Sequence, residues 1–310
     1  MNAHAMTLDA AALGFLISQT SHIETEINKT VYPDIQYPSL IPVDMSASPW
    51  IKSVTYYSSD QFGAAKWING NADDIPIAGT ERSKHETMVY TAGIGYGYGL
   101  EEIRHAQMLG INLPADDAAA ARRAYEEMVD RIALFGDTSK NFKGLINNST
   151  VTQTAAANGD WGGTGSTVGQ IIADFNQGIF AITDATKQTS YPNTVLMPDT
   201  KLAFLAQTMI DGTAVPLLDY LKKNNAVTLI TGEEMRFRAI RGLAGAGVGP
   251  SDRMVFYRRD PSILKLHIPM PHQFLAPWQS GPIRWDVPGI FRLGGLDIRR
   301  PKEVKYIDGI

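Results

Sequence analysis

PADDAAAARRAYEEMVDRIALFGDTSKNFKGL, from Pro114 to Leu145, opens with the start signals of a helix. Pro114 suits a first turn, and Asp116 and Asp117 put carboxylates at the positive end of a helix dipole. Ala118, Ala121, Tyr125, Met128, Val129, Ile132 and Phe135 then recur at three- and four-residue spacing and make one apolar stripe. The other face carries Arg122, Arg123, Glu126, Glu127, Asp130 and Arg131. Arg122–Glu126, Arg123–Glu127 and Glu127–Arg131 sit at i,i+4, worth roughly 0.2–0.5 kcal/mol each. Gly136 supplies a C-cap. From Asp117 to Phe135 the helix is about 28 Å long at 1.5 Å per residue. It is too polar on one face to be buried all round.

Composition bounds what surrounds it. At 310 residues the chain suffices for one large or two modest domains with real cores. A hydrophobic content of 44% and a charged content of 19% are those of a globular protein. The net charge of −4 argues against a dedicated nucleic-acid binder, whose phosphate contacts need a basic surface. With no cysteine, disulfides, thiolate nucleophiles and Cys-ligated metal are excluded. Met1 to Asp9 lacks a basic signal-peptide start, and no run reaches the ~18 apolar residues of a membrane span. The chain reads as cytoplasmic at synthesis.

Upstream of the long helix, Thr7 to Lys29 has helical spacing at Leu13, Leu16, Ile17, Ile23 and Ile27, weakened by Gly14 at a cost of about 1 kcal/mol. Pro33, Pro38, Pro42 and Pro49 make Thr30 to Pro49 an extended arm that must lie against something else. Trp50 to Tyr57 reads as a strand, Ser58 to Thr80 as a turn-rich tip, and Val89 onward as a second strand. Together they describe a protruding hairpin. Trp67, Ile68, Ile75 and Ile77 on that tip mark a contact surface. Gly93, Gly95, Gly97 and Gly99 alternate with period two; positions 98 and 100 are Tyr98 and Leu100, so the dinucleotide fingerprint is not met. A strand with a bare face, open to close approach, is the reading. Leu100 to Leu109 is a short helix stopped by Gly110.

Downstream, Val151 to Ser166 reads as a polar loop and Thr167 to Thr183 as a helix. Thr194 to Met197 is a buried strand, followed by helices over Lys201–Met209 and Pro216–Lys223 and a strand over Val227–Ile230, a compact mixed unit. Gly242 to Gly249 is a loop. Arg253–Tyr257, Ile263–Ile268, Ile290–Leu293 and Leu296–Arg299 are strands, and Pro269 to Pro288 is an irregular crossing around Trp278 and Trp285. These late strands must cover the stripe of the long helix.

No chemistry emerges. His267 and His272 are five apart, and His4, His22, His85 and His105 are scattered; none has zinc-pair spacing. There is no GxSxG elbow and no phosphate loop. Adjacent carboxylates at Glu101–Glu102 and Glu233–Glu234 point apart. Histidines held by hydrogen bonds and solvated carboxylates are the reading, with no catalytic, cofactor or metal residue.

A long amphipathic helix ending in FGD and followed by FKGLIN (Phe142 to Asn147) resembles the spine helix and following turn of tailed-phage major capsid proteins, the Hong Kong 97-type fold that encapsulin compartments share. The Trp50–His85 segment sits where that family has its E-loop, and GGLDIRRPKEVKYID (Gly294 to Asp308) is similar to its C-terminal strand. The likeness runs from about Ile41 to the end and rests on the order of elements. It implies an α+β fold with an N-terminal arm (1–49), an E-loop hairpin (50–90), a peripheral domain with the spine helix (91–145 and 251–310) and an inserted axial domain (146–250). It implies a virion shell protein, not an enzyme, assembled in the bacterial cytoplasm through pentamers and hexamers around DNA. No membrane is involved, and a separate scaffolding protein, a portal and decoration proteins are implied as partners. The alternatives are an encapsulin-like shell around enzyme cargo, or a soluble α/β enzyme. Implied interface residues are Tyr37, Lys66, Trp67, Ile68, Ile75, Ile77, Arg82, Lys84, Arg122, Arg123 and Glu126. Some members join an E-loop lysine to an asparagine; Lys66 or Lys84 could serve, but no asparagine follows Asn225, so a non-covalent shell is expected.

Overall fold

The computed structural model describes residues 34–67, 75–109, 113–163 and 166–310, and Ile35–Ile310 form one compact unit. The helix read over Thr7–Lys29, the stop at Gly110 and the apolar Ile68 lie outside the described residues. The chain runs through a helical turn α1 (Tyr37–Leu40), then β1 (Val43–Asp44), β2 (Ser53–Phe62), β3 (Gly79–Met88), β4 (Tyr90–Gly93) and β5 (Tyr96–Gly99). Helices α2 (Leu100–Leu109) and α3 (Leu113–Phe135) come next, then β6 (Gly136–Asp137), β7 (Phe142–Lys143), β8 (Thr152–Ala155), α4 (Val168–Ala185) and β9 (Thr194–Met197). After them lie α5 (Asp199–Gln207), α6 (Leu217–Lys223), α7 (Ala226–Thr231) and β10 (Arg236–Ala239). The remainder is β11 (Arg253–Tyr257), β12 (Leu264–His267), β13 (Met270–Phe274), β14 (Trp278–Gly281), β15 (Arg284–Val287), β16 (Gly289–Leu293), β17 (Gly295–Ile298) and β18 (Val304–Asp308).

The stripe of α3 does bury, with Ala121, Tyr125, Val129 and Ile132 among the buried residues; the last three share a core with late-strand residues such as Leu264, Leu266, Phe291 and Leu293. Phe135 departs from it and is exposed, while Ala133 and Leu134 are buried in the last turn. The returning chain is the reason. Gly136 leaves the helix at φ +74°, and the segment turns back so that Leu145 N donates to Ala133 O (2.9 Å), Ile146 N to Leu134 O (3.1 Å) and Asn147 Nδ2 to Phe135 O (2.7 Å). Three carbonyls that a helix end leaves without partners are thereby satisfied. Gly144 makes the approach possible: a Cβ there would collide with Leu134 O.

A five-stranded mixed sheet, ordered β10-β9-β11-β18-β8, divides the interior. Its three middle strands are buried on both faces, as alternation requires when both sides are covered. Leu196, Val255, Tyr257, Val304 and Tyr306 face the core of α3. Val195, Met197, Met254, Phe256 and Ile307 face a second core built on Ile171, Phe175, Ile179 and Ile182 of α4. Arg253 ties the sheet together: Nε and Nη2 grip Asp308 at 2.6 and 2.9 Å, and Nη1 donates to Ile146 O at 2.7 Å. In the second core, Asp174 is fully buried and accepts from Asn158 N and Nδ2, Gly159 N and Trp161 Nε1 at 2.9–3.0 Å. Burial alone would raise its pKa, but these donors outweigh it and hold the carboxyl below its usual range.

Several readings are corrected. Val227–Ile230 is part of helix α7, not a strand, because Asn225 caps it by accepting from Thr228 N (2.9 Å) and Gly232 ends it at φ +75°. The arm is not wholly extended: Asp130 accepts from Gln36 N and Tyr37 N (3.0 and 2.8 Å) and nucleates α1. The 151–166 loop contains edge strand β8, which pairs parallel with β18. The crossing at 269–288 is in fact strands β13–β15, and β10 was not read at all. The glycine stretch breaks into β4 and β5, yet the close approach holds: a Cβ on Gly95 would collide with Val287 O.

Replacing Asp174 by Asn leaves two donors facing an amide nitrogen and is expected to cost about 1–3 kcal/mol at neutral pH. Because the folded pKa is lowered, the carboxylate's stabilisation is full above the ordinary carboxylate range and is lost as pH falls through about 4 and below. Urea unfolding of both proteins would show the gap at pH 7 closing toward pH 3; a gap constant with pH would refute the account.

Candidate assembly surface

β2 and β3 pair along ten positions, from Ser53↔Met88 to Phe62↔Gly79, and form a two-stranded sheet. A hairpin is present where the sequence suggested one, but its return strand is corrected: β3 (Gly79–Met88) pairs with β2, whereas the chain from Tyr90 onward, β4, joins the separate sheet β13-β16-β4. Most residues of β2 and β3 are exposed and none is buried. Such a ribbon is marginal in water without a further layer against it. Its own contacts are modest. Tyr56 stacks on His85 (4.8 Å between centroids), Ser53 Oγ donates to Glu86 (2.6 Å), and Lys84 Nζ reaches Glu86 at 3.0 Å. The Ser53 hydroxyl and then Lys84 hold Glu86 below its ordinary pKa; a pair this exposed contributes little. The ribbon is rooted by Val89 N donating to Lys52 O (2.9 Å) and by the Arg299 guanidinium over the Tyr56 ring at 4.9 Å.

The tip carries Trp67 at 103% and Ile77 at 87% exposure, with Ile75 also exposed. The ribbon thus gathers Lys66, Trp67, Ile75, Ile77, Arg82 and Lys84. Tyr57, Ser59, Arg82 and Lys84 share one face, around an open hollow of about 450 Å³. Arg122, Arg123 and Glu126 sit on α3 instead. Arg123 Nε pairs with Glu127 at 2.8 Å, and Glu126 accepts from the Tyr37 hydroxyl at 2.8 Å. Tyr37 itself is 6% exposed and belongs to the core of its own chain, so its reading as a contact residue is corrected: α1 presses it onto α3. Burial, then the Glu126 hydrogen bond, push its hydroxyl above the usual tyrosine range.

Two apolar surfaces escaped the sequence reading. Leu275, Trp278 and Ile283 are exposed at and beside the small sheet β14-β15-β5, and Leu229 and Ile230 at the end of α7. The first was hidden by reading 269–288 as irregular; the second by taking α7 for a strand, although Asn225 before an apolar run was a cap signal.

The buried histidines are not fully satisfied as expected. His272 Nε2 meets Ile94 O at 2.9 Å but its Nδ1 has no partner among the described residues. His267 lies between Asp44 (3.9 Å) and Asp297 (3.8 Å), its Nε2 without a hydrogen bond. Among the described residues no group of three or more His, Cys, Asp or Glu could hold a metal, and no helix is long and apolar enough to cross a membrane.

Residues 63–310 match a family model described as "Major capsid protein". No curated protein matches the sequence. Among solved structures, "The capsid of Myoviridae Phage XM1" is similar over 94% of this chain and 98% of its own, with TM-score 0.78 at 18% identity. A structure titled "Mycobacterium phage Bobi" gives TM-score 0.62 at 13% identity, covering 97% and 98%. "Capsid of native GTA particle computed with C5 symmetry" gives 0.64 at 10%, covering 99% of each.

If the tip serves no contact within its own chain, Trp67→Ala and Ile77→Ala will each change unfolding free energy by less than about 0.5 kcal/mol. Urea midpoints check this, and a loss above about 1 kcal/mol would mean the tip packs on its own body.

Proposed function

The chain belongs to the major capsid protein family, and from that premise we propose that it builds the icosahedral head of a tailed phage by self-assembly. It is a structural protein of the virion capsid. The observation that carries the reading of how it assembles is the ribbon: two long strands and an apolar tip that no other described residues of the chain cover. Burying such a surface requires another copy, and symmetry multiplies each modest contact.

In this reading the fold is of the Hong Kong 97 type. The ribbon takes the part of the E-loop, α3 that of the spine helix, and the residues before 50 that of the arm. Residues 91–145 with 251–310 form the peripheral domain and 146–250 the axial domain. The two hydrophobic cores support such a division, with the boundary along the sheet whose β11 and β18 serve both. Pentamers and hexamers close through the axial domain, and the ribbon lies over a neighbour. Trp67, Ile68, Ile75 and Ile77 bury apolar area there, while Lys66, Arg82, Lys84, Arg122 and Arg123 set register more than affinity. Packaged DNA is enclosed without sequence-specific contact, and a scaffolding protein, portal and decoration proteins complete the assembly. The role is structural rather than catalytic. The family match and the phage-capsid neighbours support a phage head over a compartment filled with enzyme.

Mass measurement in solution followed by negative-stain microscopy tests this. Pentamers, hexamers or closed shells are expected, with nucleic acid as the content of native particles. A 33.9 kDa monomer that stays monomeric under crowding and raised salt would overturn the proposal. On denaturing gels the shell protein is expected as a single band; a covalent ladder would show that another acceptor replaces the asparagine missing after Asn225.

A further inference from the structure

The ribbon's two faces differ in charge. Asp60 stands directly opposite Glu81 in the β2–β3 register, so two carboxylates share one face. Like charges in that position repel. Neither has a hydrogen bond or ion pair among the described residues. Asp60 and Glu81, with Tyr56 and Ser58, form one wall of an open groove of about 830 Å³. The other wall is the end of α4 and the 299–303 turn, and it presents four cations: Lys187, Arg299, Arg300 and Lys302. Arg299 is engaged by Asp297 (3.3 Å) and Arg300 by Glu303 (3.2 Å). Lys187 and Lys302 are exposed and have no carboxylate partner among the described residues. The turn bearing Lys187 is specialised: Lys187 and Gln188 both adopt left-handed backbone (φ 52° and 61°), which non-glycine residues rarely do. They are held there by Lys187 N donating to Asp184 O and Gln188 N to Thr183 O.

An unpaired acidic pair thus faces a basic wall on which Lys187 and Lys302 remain unpaired among the described residues, across a gap that opposite charges favour closing. We propose that in the unassembled subunit the ribbon closes onto its own flank, Asp60 and Glu81 meeting Lys187 and Lys302, and that this self-contact restrains assembly until a neighbouring copy replaces it. The proposal rests on the reading of the ribbon as an assembly arm. Its pivot is the root, where Arg299 stacks on Tyr56. Two exposed ion pairs shift the closed-to-open ratio by about twofold to thirtyfold, enough to slow nucleation and weak enough to be displaced. Salt weakens the contact.

The chain has no cysteine, so Asp60→Cys with Lys302→Cys creates the only thiol pair. Mild oxidation of the dilute, unassembled full chain at low salt is expected to give an intrachain disulfide, seen as a fast-migrating monomer band that declines at high salt. Locked subunits should assemble more slowly than the same protein after reduction. Asp60→Lys with Glu81→Lys should shorten the assembly lag, and adding Lys187→Glu with Lys302→Glu should restore it. Free subunits that yield only interchain dimers, or that stay reduced although both thiols titrate, would overturn the closure. The disulfide readout needs no shell. Failure to assemble would therefore count against the capsid role alone, and shells formed without an intrachain bond against the closure alone.

Discussion

The guanidinium of Arg253 is the point on which the architecture depends. It is buried between β11 and β18, gripping Asp308 with two hydrogen bonds while donating to Ile146 O and to Gln153. It also lies over the Tyr306 ring at 4.6 Å. Four separate stretches therefore meet at one charge: the segment leaving α3, the edge strand β8, β11 and the closing strand. A buried pair of this kind is demanding, since losing one partner strands the other at about 3–5 kcal/mol. Register between distant segments is what that demand enforces.

From that point the two cores are built outward. A sheet whose middle strands are apolar on both faces must be covered on both sides, and α3 and α4 with its companions do so. The clamp on the end of α3 by Leu145, Ile146 and Asn147 passes the chain directly from the helix to the sheet. The body is thus internally satisfied, with few buried polar atoms left without partners among the described residues.

The ribbon obeys the opposite rule. It keeps its backbone paired within itself and leaves its side chains to water, including aromatic and aliphatic groups at the tip. A chain that concentrates its burial in the body and withholds it from an arm has somewhere else to place that arm. Self-assembly and the self-contact proposed above are two uses of the same unsatisfied surface.

The sequence by itself determined the elements whose signals lie within a few residues: the apolar period of α3 and its glycine cap, the strand Thr194–Met197, the hairpin and its apolar tip, the close approach at the glycine stretch. It also carried the order of elements from which the capsid likeness was read. Only tertiary structure decided what depends on distant partners. Tyr37 looked like part of a free arm until Asp130 and Glu126, some ninety residues on, drew it into the core. β8 and β10 are polar edge strands that exist because β18 and β9 offer them backbone partners. The β-branched run of α7 became helix because its cap outweighed its propensity. Periodicity and capping are local and survive in a string of letters; edge pairing and the burial of a single polar side chain are set by where the folded chain returns.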